Sequence, residues 1–253
     1  SMFRRATIFN QNIGGWNTAS LQEMDRMFDG ASAFNQDLNG WNISKVTSLQ
    51  YVFEDATAFN GDISGWDVSN VDDMDSLFED ATSFNQDLGA WDISKLEHTW
   101  RTFDNATLST ANYDSILIGW STLDVAAGET KIPENLNISF GSSKYCAGET
   151  ARNTLDTTYN WTIGDGGVES VNVWYQDLDG DGFGDPTNTL SQCSQPAGYV
   201  SISTDAFVAT WRINSPGQSI TIPTTGSGYN YNVDWGDGSK DVGITGDVTH
   251  SYT

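Results

Sequence analysis

One feature limits what this chain can fold into more than any other: a repeat of fixed period. Residues 33–44 read AFNQDLNGWNIS, residues 58–69 AFNGDISGWDVS and residues 83–94 SFNQDLGAWDIS, with a weaker copy, IFNQNIGGWNTA, at 8–19. Each copy starts 25 residues after the previous one. A unit this short cannot bury its own apolar side and must stack on its neighbours. Phe3, Phe28, Phe53, Phe78 and Phe103 share one slot, and Phe9, Phe34, Phe59 and Phe84 another. Trp16, Trp41, Trp66 and Trp91 form a third column, Ala6, Ala31, Ala56, Ala81 and Ala106 a fourth, and Ile13, Leu38, Ile63 and Leu88 a fifth. These columns are the predicted core, indoles included.

Two textures alternate within a unit. Met74, Leu77, Phe78 and Ala81 step by three and four, which is helical spacing. Ser69, like Ser44 and Ser94 in the same slot, stands where it would cap that helix, with Asp72 at the third position. Residues 84–93 are amide-rich and read as a short strand and a turn. The predicted fold is therefore α/β: a leucine-rich-repeat solenoid of 25-residue coils with a parallel sheet.

Stacking puts polar slots in columns too. Asn10, Asn35, Asn60 and Asn85 can hydrogen-bond along the stack, because an amide both donates and accepts. Asn12, Asp37, Asp62 and Asp87 form a second column, and Asn17, Asn42, Asp67 and Asp92 a third. Carboxylates on neighbouring strands, about 4.8 Å apart, repel by about 1 kcal/mol in water and more near protein. Either turn N–H groups or bound cations must offset that. The sequence favours each Asp capping a turn in its own coil, with a cation ladder as the alternative.

The wording FNQD…WDVS…M..MF..A resembles the BspA-type leucine-rich-repeat surface proteins of bacteria over residues 1 to about 107. Tyr113–Trp120 and Tyr145–Arg152 resemble the end of such arrays. The resemblance implies a secreted, cell-surface location and roles in adhesion. Met2 and Phe3 occupy the slots of Met27 and Phe28, so the chain reads as a piece of a longer protein. After Ala106 the period breaks. Residues 108–120 suggest a helix with Ile116, Leu117 and Trp120 inward. Ile132–Phe140 suggests a strand, Ala147–Tyr159 a helix and Trp161–Ile163 a strand, closed by the turn Asp165–Gly167. This predicts domains at 1–107 (solenoid), 108–167 (its C-terminal cap), 168–205 (a calcium-binding loop segment) and 206–253 (a partial all-β segment).

Residues 174–185 read WYQDLDGDGFGD. Asp177, Asp179 and Asp181 alternate, followed by Gly182, in the D-x-D-x-D-G pattern of a calcium loop. Oxygens at alternate positions can curl round one hard cation, and the glycine permits the sharp turn. Phe183 would add its carbonyl, Asp185 a direct or water-mediated contact, and Asp205 a distant oxygen. Position 12 is Asn188 rather than a bidentate Glu. The stretch through Cys193 and Pro196–Val200 resembles thrombospondin type 3-like calcium repeats, although Ala206 stands where a second cysteine is usual. From Phe207 onward Trp211, Ile213, Ile220 and Ile222 alternate, Tyr229–Trp235 reads as a strand and Gly236–Gly238 as a hairpin turn. VDWGDGS followed by THSYT resembles part of a polycystic-kidney-disease-type β-sandwich.

The formal net charge of −23 repels nucleic acid and anionic membrane and favours divalent cations. No apolar run is long enough to span a bilayer. Cys146 and Cys193 could form one disulfide or remain two quiet thiols, with the thiols slightly favoured. His98 and His250 have no partner at a catalytic spacing, and no nucleophile, metalloprotease or phosphate motif occurs. The chain therefore reads as a non-catalytic, calcium-stabilised structural or spacer module of a secreted bacterial surface adhesin. Its expected partners are calcium and neighbouring modules of the same protein. The alternative is an adhesion module whose solenoid face binds a glycan or protein.

Overall fold

The computed structural model describes residues 2–178, 182, 184–193, 195–202, 217–222 and 231–252. The chain forms two compact units, Ser1–Thr204 and Asp205–Thr253.

Backbone hydrogen bonding organises the repeats. Leu49, Tyr51, Phe53 and Asp55 donate their N–H groups to the carbonyls of Asp73, Asp75, Leu77 and Glu79, at 2.8, 3.0, 2.9 and 2.9 Å. One copy on, Met74, Ser76, Phe78 and Asp80 donate to His98, Trp100, Thr102 and Asp104, all at 2.8 Å. The N–H groups between them close turns at home: Leu77 to Met74 at 3.2 Å, Glu79 to Ser76 at 3.3 Å and Ala81 to Phe78 at 3.0 Å. Alternate N–H groups thus leave their own copy for the next.

That pattern corrects the predicted fold class. Among the described residues up to 107 there is neither a helix nor an extended strand, only the isolated parallel bridges Ser48–Asp73 and Asp73–His98. An α-helix needs successive N–H groups to bond four residues back, and here every second one is committed elsewhere. Tyr51, Asp55, Ser76, Asp80, Arg101 and Asn105 take left-handed φ values between 53 and 61°, which a right-handed helix forbids. The chain is therefore not a leucine-rich-repeat solenoid of helix and parallel strand. It is a series of tight turns. Turns closed three residues back place apolar side chains at the same steps of three and four that a helix does, which is why the two were confused.

The predicted core columns are buried from Phe28 onward, whereas in the first copy Phe3 and Phe9 are only half-buried and Trp16 is exposed. Phe3, Phe28, Phe53, Phe78, Phe103 and Phe140 stack in order with ring centroids 5.3, 5.5, 5.7, 5.2 and 5.0 Å apart. Phe34, Phe59 and Phe84 lie against Phe28, Phe53 and Phe78 at 4.3, 3.8 and 3.8 Å. Each buried indole also donates backward. Trp41, Trp66 and Trp91 give Nε1–H to the carbonyls of Ile13, Leu38 and Ile63 at 3.0, 2.9 and 3.3 Å. Burying a tryptophan whole requires such a partner. The Asn ladder is of a different kind from the amide-to-amide one expected. The side-chain oxygens of Asn10, Asn35, Asn60 and Asn85 accept the backbone N–H groups of Asn35, Asn60, Asn85 and Ser109, at 2.9, 2.8, 2.8 and 2.8 Å.

Regular elements begin where the period breaks. Helix α1 (Thr110–Trp120) starts at Ser109, whose hydroxyl accepts the Asn112 N–H. It delivers Trp120 into the indole column, bonded to the Leu88 carbonyl at 3.0 Å. Strands β1 (Asn137–Ser139) and β2 (Thr162–Gly164) pair in parallel, again 25 residues apart. Between them α2 (Glu149–Tyr159) ends at Asn160 in the left-handed conformation. The buried carboxylate of Asp114 on α1 accepts the N–H groups of Cys146, Ala147 and Gly148 at 2.8, 2.9 and 2.8 Å. Three donors make that burial tolerable and pin α1 to the entry of α2. Beyond lies a three-stranded antiparallel sheet in the order β4 (Asp185–Gln192), β3 (Asn172–Gln176), β5 (Tyr199–Val200). Cys146 and Cys193 are joined in a disulfide that ties this sheet to the entry of α2, which corrects the slight preference for free thiols.

Among its described residues the second unit holds two antiparallel pairs. Strand β6 (Ser219–Ile222) pairs with β9 (Val248–Ser251), and β7 (Tyr231–Asp234) with β8 (Lys240–Ile244). The expected hairpin turn joins β7 to β8, with Gly236 and Gly238 at φ 78 and 95°. Trp211 and Ile213 lie outside the described residues.

Phe53→Ala removes a fully buried ring between two stacked neighbours and should cost about 3–5 kcal/mol in urea unfolding. Trp16→Ala, whose ring is 47% exposed, should cost less than half of that. Reducing the disulfide opens a closure of 47 residues and should destabilise the first unit by about 4 kcal/mol on chain-entropy grounds. Melts with and without reductant, beside a Cys193→Ser variant, measure it.

Candidate functional site

The acid-bearing loop connects β3 to β4. Gln176 pairs with Asp185 across that ladder, so Asp177 and Asp185 stand at the mouth of the loop. Asp177 donates its N–H to the Gly198 carbonyl at 2.8 Å. Its Oδ2 accepts the Gly182 N–H at 3.1 Å, closing the segment from its first acid to its glycine. Gly182 has φ 92°, a conformation that side chains resist. At Gly184 a Cβ would come within 2.4–2.6 Å of Tyr175, two of the three contacts being backbone atoms, so only glycine fits there. Asp185 Oδ1 accepts both the hydroxyl and the N–H of Thr187 at 2.7 Å. These two bonds hold its carboxyl below the usual range. Of the predicted calcium ligands, the structure therefore places Asp177 and Asp185 together at the loop mouth. Asp179, Asp181, Phe183 and Asp205 lie outside the described residues. Among the described residues no three His, Cys, Asp or Glu side chains are gathered to hold a metal ion.

The acid columns of the repeats resolve as turn-formers at Asp62, Asp67, Asp87 and Asp92, with Asp37 bonding across copies. Asp62 accepts the N–H and hydroxyl of Ser64 at 2.9 and 2.7 Å, and Asp67 those of Ser69 at 3.2 and 2.6 Å. Asp87 accepts from Gly89 at 2.8 Å, Asp92 from Ser94 at 2.9 Å, and Asp37 from the Asp62 N–H in the next copy at 2.9 Å. These bonds offset the repulsion along the columns. Ser69, expected to cap a helix, instead donates to Asp67.

Sequence reasoning missed another acid column, Asp29, Glu54, Glu79 and Asp104. Arg26 reaches Asp29 at 3.3 Å and Glu54 at 3.6 Å, while Arg101 reaches Glu79 at 2.5 Å and Asp104 at 2.9 Å. Each arginine thus bridges two copies. Burial, with Asp29 and Glu79 nearby, pushes the Glu54 carboxyl up. The signal was present: an arginine three residues before an acid, in the first and last of these copies.

His250 has a partner that spacing did not reveal. Its Nε2 lies 2.8 Å from Asp237 Oδ2, and its ring stacks on Trp235 with centroids 4.9 Å apart. Ser239 donates its hydroxyl to Asp237 Oδ1 at 2.5 Å. Ser239 Oγ also lies 3.4 Å from His250 Nε2, so serine and aspartate meet the same ring nitrogen, whereas in a nucleophile–base–acid relay they meet opposite ones.

Residues 1–122 match the family model described as "Mycoplasma protein of unknown function, DUF285". No curated protein and no solved structure matches the chain.

The Ser239 hydroxyl and N–H, then His250, pull the Asp237 carboxyl down to about 2. A depressed folded value means that the stabilisation is complete above the ordinary value of 3.8 and is lost as pH falls through about 2. A carbon-13 carboxyl titration should place the Asp237 midpoint near 2, and Ser239→Ala should move it up toward 3.8.

Proposed function

We propose that the chain is a non-catalytic, calcium-stabilised spacer module of a secreted bacterial cell-surface protein. The observation that carries the calcium reading is the loop closed by Gly182 onto Asp177. That bond joins the first acid of a D-x-D-x-D-G segment to its glycine, and acids at alternate positions before such a glycine are the oxygen-rich set that a hard cation takes. Asp185, held ionised by Thr187, stands at the same mouth. Asp179, Asp181 and Phe183 would supply further oxygens.

The spacer reading draws on the commitment of polar groups inside the repeats. Backbone N–H groups go to the next copy and side-chain carboxylates go to turns or to bridging arginines. The result resists deformation along the stack rather than presenting unsatisfied groups for chemistry. The secreted location draws on the disulfide, a bond that persists in oxidising compartments. The bacterial origin draws on the family description matched by residues 1–122 and on the resemblance of the repeats to BspA-type surface proteins.

Thermal melts in calcium and in chelator test the proposal. A ligand that binds only the folded form stabilises by about 3 kcal/mol at a hundredfold excess over its Kd. Extracellular modules commonly bind near ~0.1–1 mM, so millimolar calcium should raise Tm and micromolar calcium should not. The double variant Asp179→Ala/Asp181→Ala should erase the difference. Identical melts in calcium and chelator would sink the proposal, and a difference that survives the double variant would move the site elsewhere.

A further inference from the structure

The last repeat departs from the others along one edge. The slot occupied by Asp25, Gln50 and Asp75 holds Trp100, and the slot of Glu23, Ser48 and Asp73 holds His98. An indole therefore stands where every earlier copy has a polar side chain. It is not part of the core column. Trp100 is 56% exposed, whereas Trp41, Trp66 and Trp91 are 2–4% exposed. It lines a cleft of about 210 Å³ together with Asp75, Glu97, His98, Asn135 and Asn137.

The cleft walls are held in place. Trp100 donates its backbone N–H to Asp75 Oδ1 at 2.6 Å, and the Arg101 guanidinium lies over its ring at 5.1 Å. Thr99 donates to the Asn137 carbonyl at 3.0 Å, and Asn135 donates its N–H to the Tyr159 carbonyl at 2.9 Å. The result is an exposed indole on a backbone held by these bonds, with Arg101 over its ring and carboxylates and carboxamides beside it. Aromatic faces receive the C–H faces of pyranose rings, while carboxylates and amides bond adjacent hydroxyl pairs. Asp75 and Glu97 disfavour anionic ligands, and the Arg101 guanidinium over the ring is already paired with Glu79 and Asp104. The volume is below the ~300–1,000 Å³ of drug-sized pockets, which suits one ring of a chain whose remainder stays in solvent.

We propose that this cleft is a binding site for a neutral saccharide, with Trp100 as the stacking platform. The site goes beyond the spacer role and does not depend on calcium occupying the loop.

Saturation-transfer NMR on the full chain in millimolar calcium, with cellotriose, tri-N-acetylchitotriose and mannotriose as probes, tests it. At least one probe should show transfer concentrated on the protons of a single ring, with a millimolar Kd. Trp100→Ala should weaken that Kd about tenfold or more, and Trp100→Phe should retain part of the affinity. Absence of transfer from all three at millimolar concentration would overturn the proposal, as would an unchanged Kd in Trp100→Ala. Melts of the same samples in calcium and chelator report the loop separately. They also show that the variant is folded, since Trp100 carries little of the core.

Discussion

Everything in the repeats depends on one backbone choice: alternate N–H groups leave their own copy and bond carbonyls of the next. Each such bond requires the neighbour at one register, so the 25-residue period is a constraint of geometry. Sending N–H groups outward in this way uses non-glycine residues in the left-handed region, at a cost of about 1–2 kcal/mol each. Tyr51, Ser76 and Arg101 occupy one such slot in successive copies. The cross-copy bonds, the stacked phenylalanines and the indole-to-carbonyl bonds offset that cost together. None of the three is available to a single copy.

The same geometry explains how so acidic a chain stays compact. Asp62, Asp67, Asp87 and Asp92 close turns on serine and glycine N–H groups, and Asp29, Glu54, Glu79 and Asp104 share arginines that reach into the adjacent copy. The acid-rich segment outside the repeats is arranged differently. Its first acid closes onto a glycine, and the loop emerges from a sheet tied by the disulfide to the entry of α2. Those acids thus have donors or arginines within the protein, and the loop is where an external cation is proposed to do the equivalent work.

The core was legible in the sequence because a strict period places identical side chains in register whatever the backbone does. The phenylalanine and tryptophan columns follow from that alone, while α1, α2, β1 and β2 were legible in outline from local patterning beyond the period and the pairing of β1 with β2 was not. The backbone itself was not legible. Steps of three and four arise equally from a helix and from consecutive three-residue turns, and only the destination of the N–H groups separates them. A clue did exist in the slot of Gly30, Asp55, Asp80 and Asn105, since glycine, aspartate and asparagine favour the left-handed region. Tyr51 and Ser76 gave no such clue. The disulfide was hidden because 47 residues of separation carry no local signal. The D-x-D-x-D-G motif was visible in the sequence, and the bond from Gly182 to Asp177 falls within it. Trp100 was visible as the one tryptophan of the repeats that is off the column, but its exposure could be judged only in three dimensions.

Hydrogen exchange resolved by residue is the most direct measurement of the central claim. The amides of Phe28, Phe53 and Phe78, which donate to the following copy, should show closely similar protection and exchange together in one cooperative opening of the stack. The amides of residues whose N–H groups close turns within a copy should open no more slowly than these. If instead Phe28, Phe53 and Phe78 exchanged at independent rates, or no more slowly than exposed loop amides such as Gly128, the cross-copy bonds would not be what holds the repeats together.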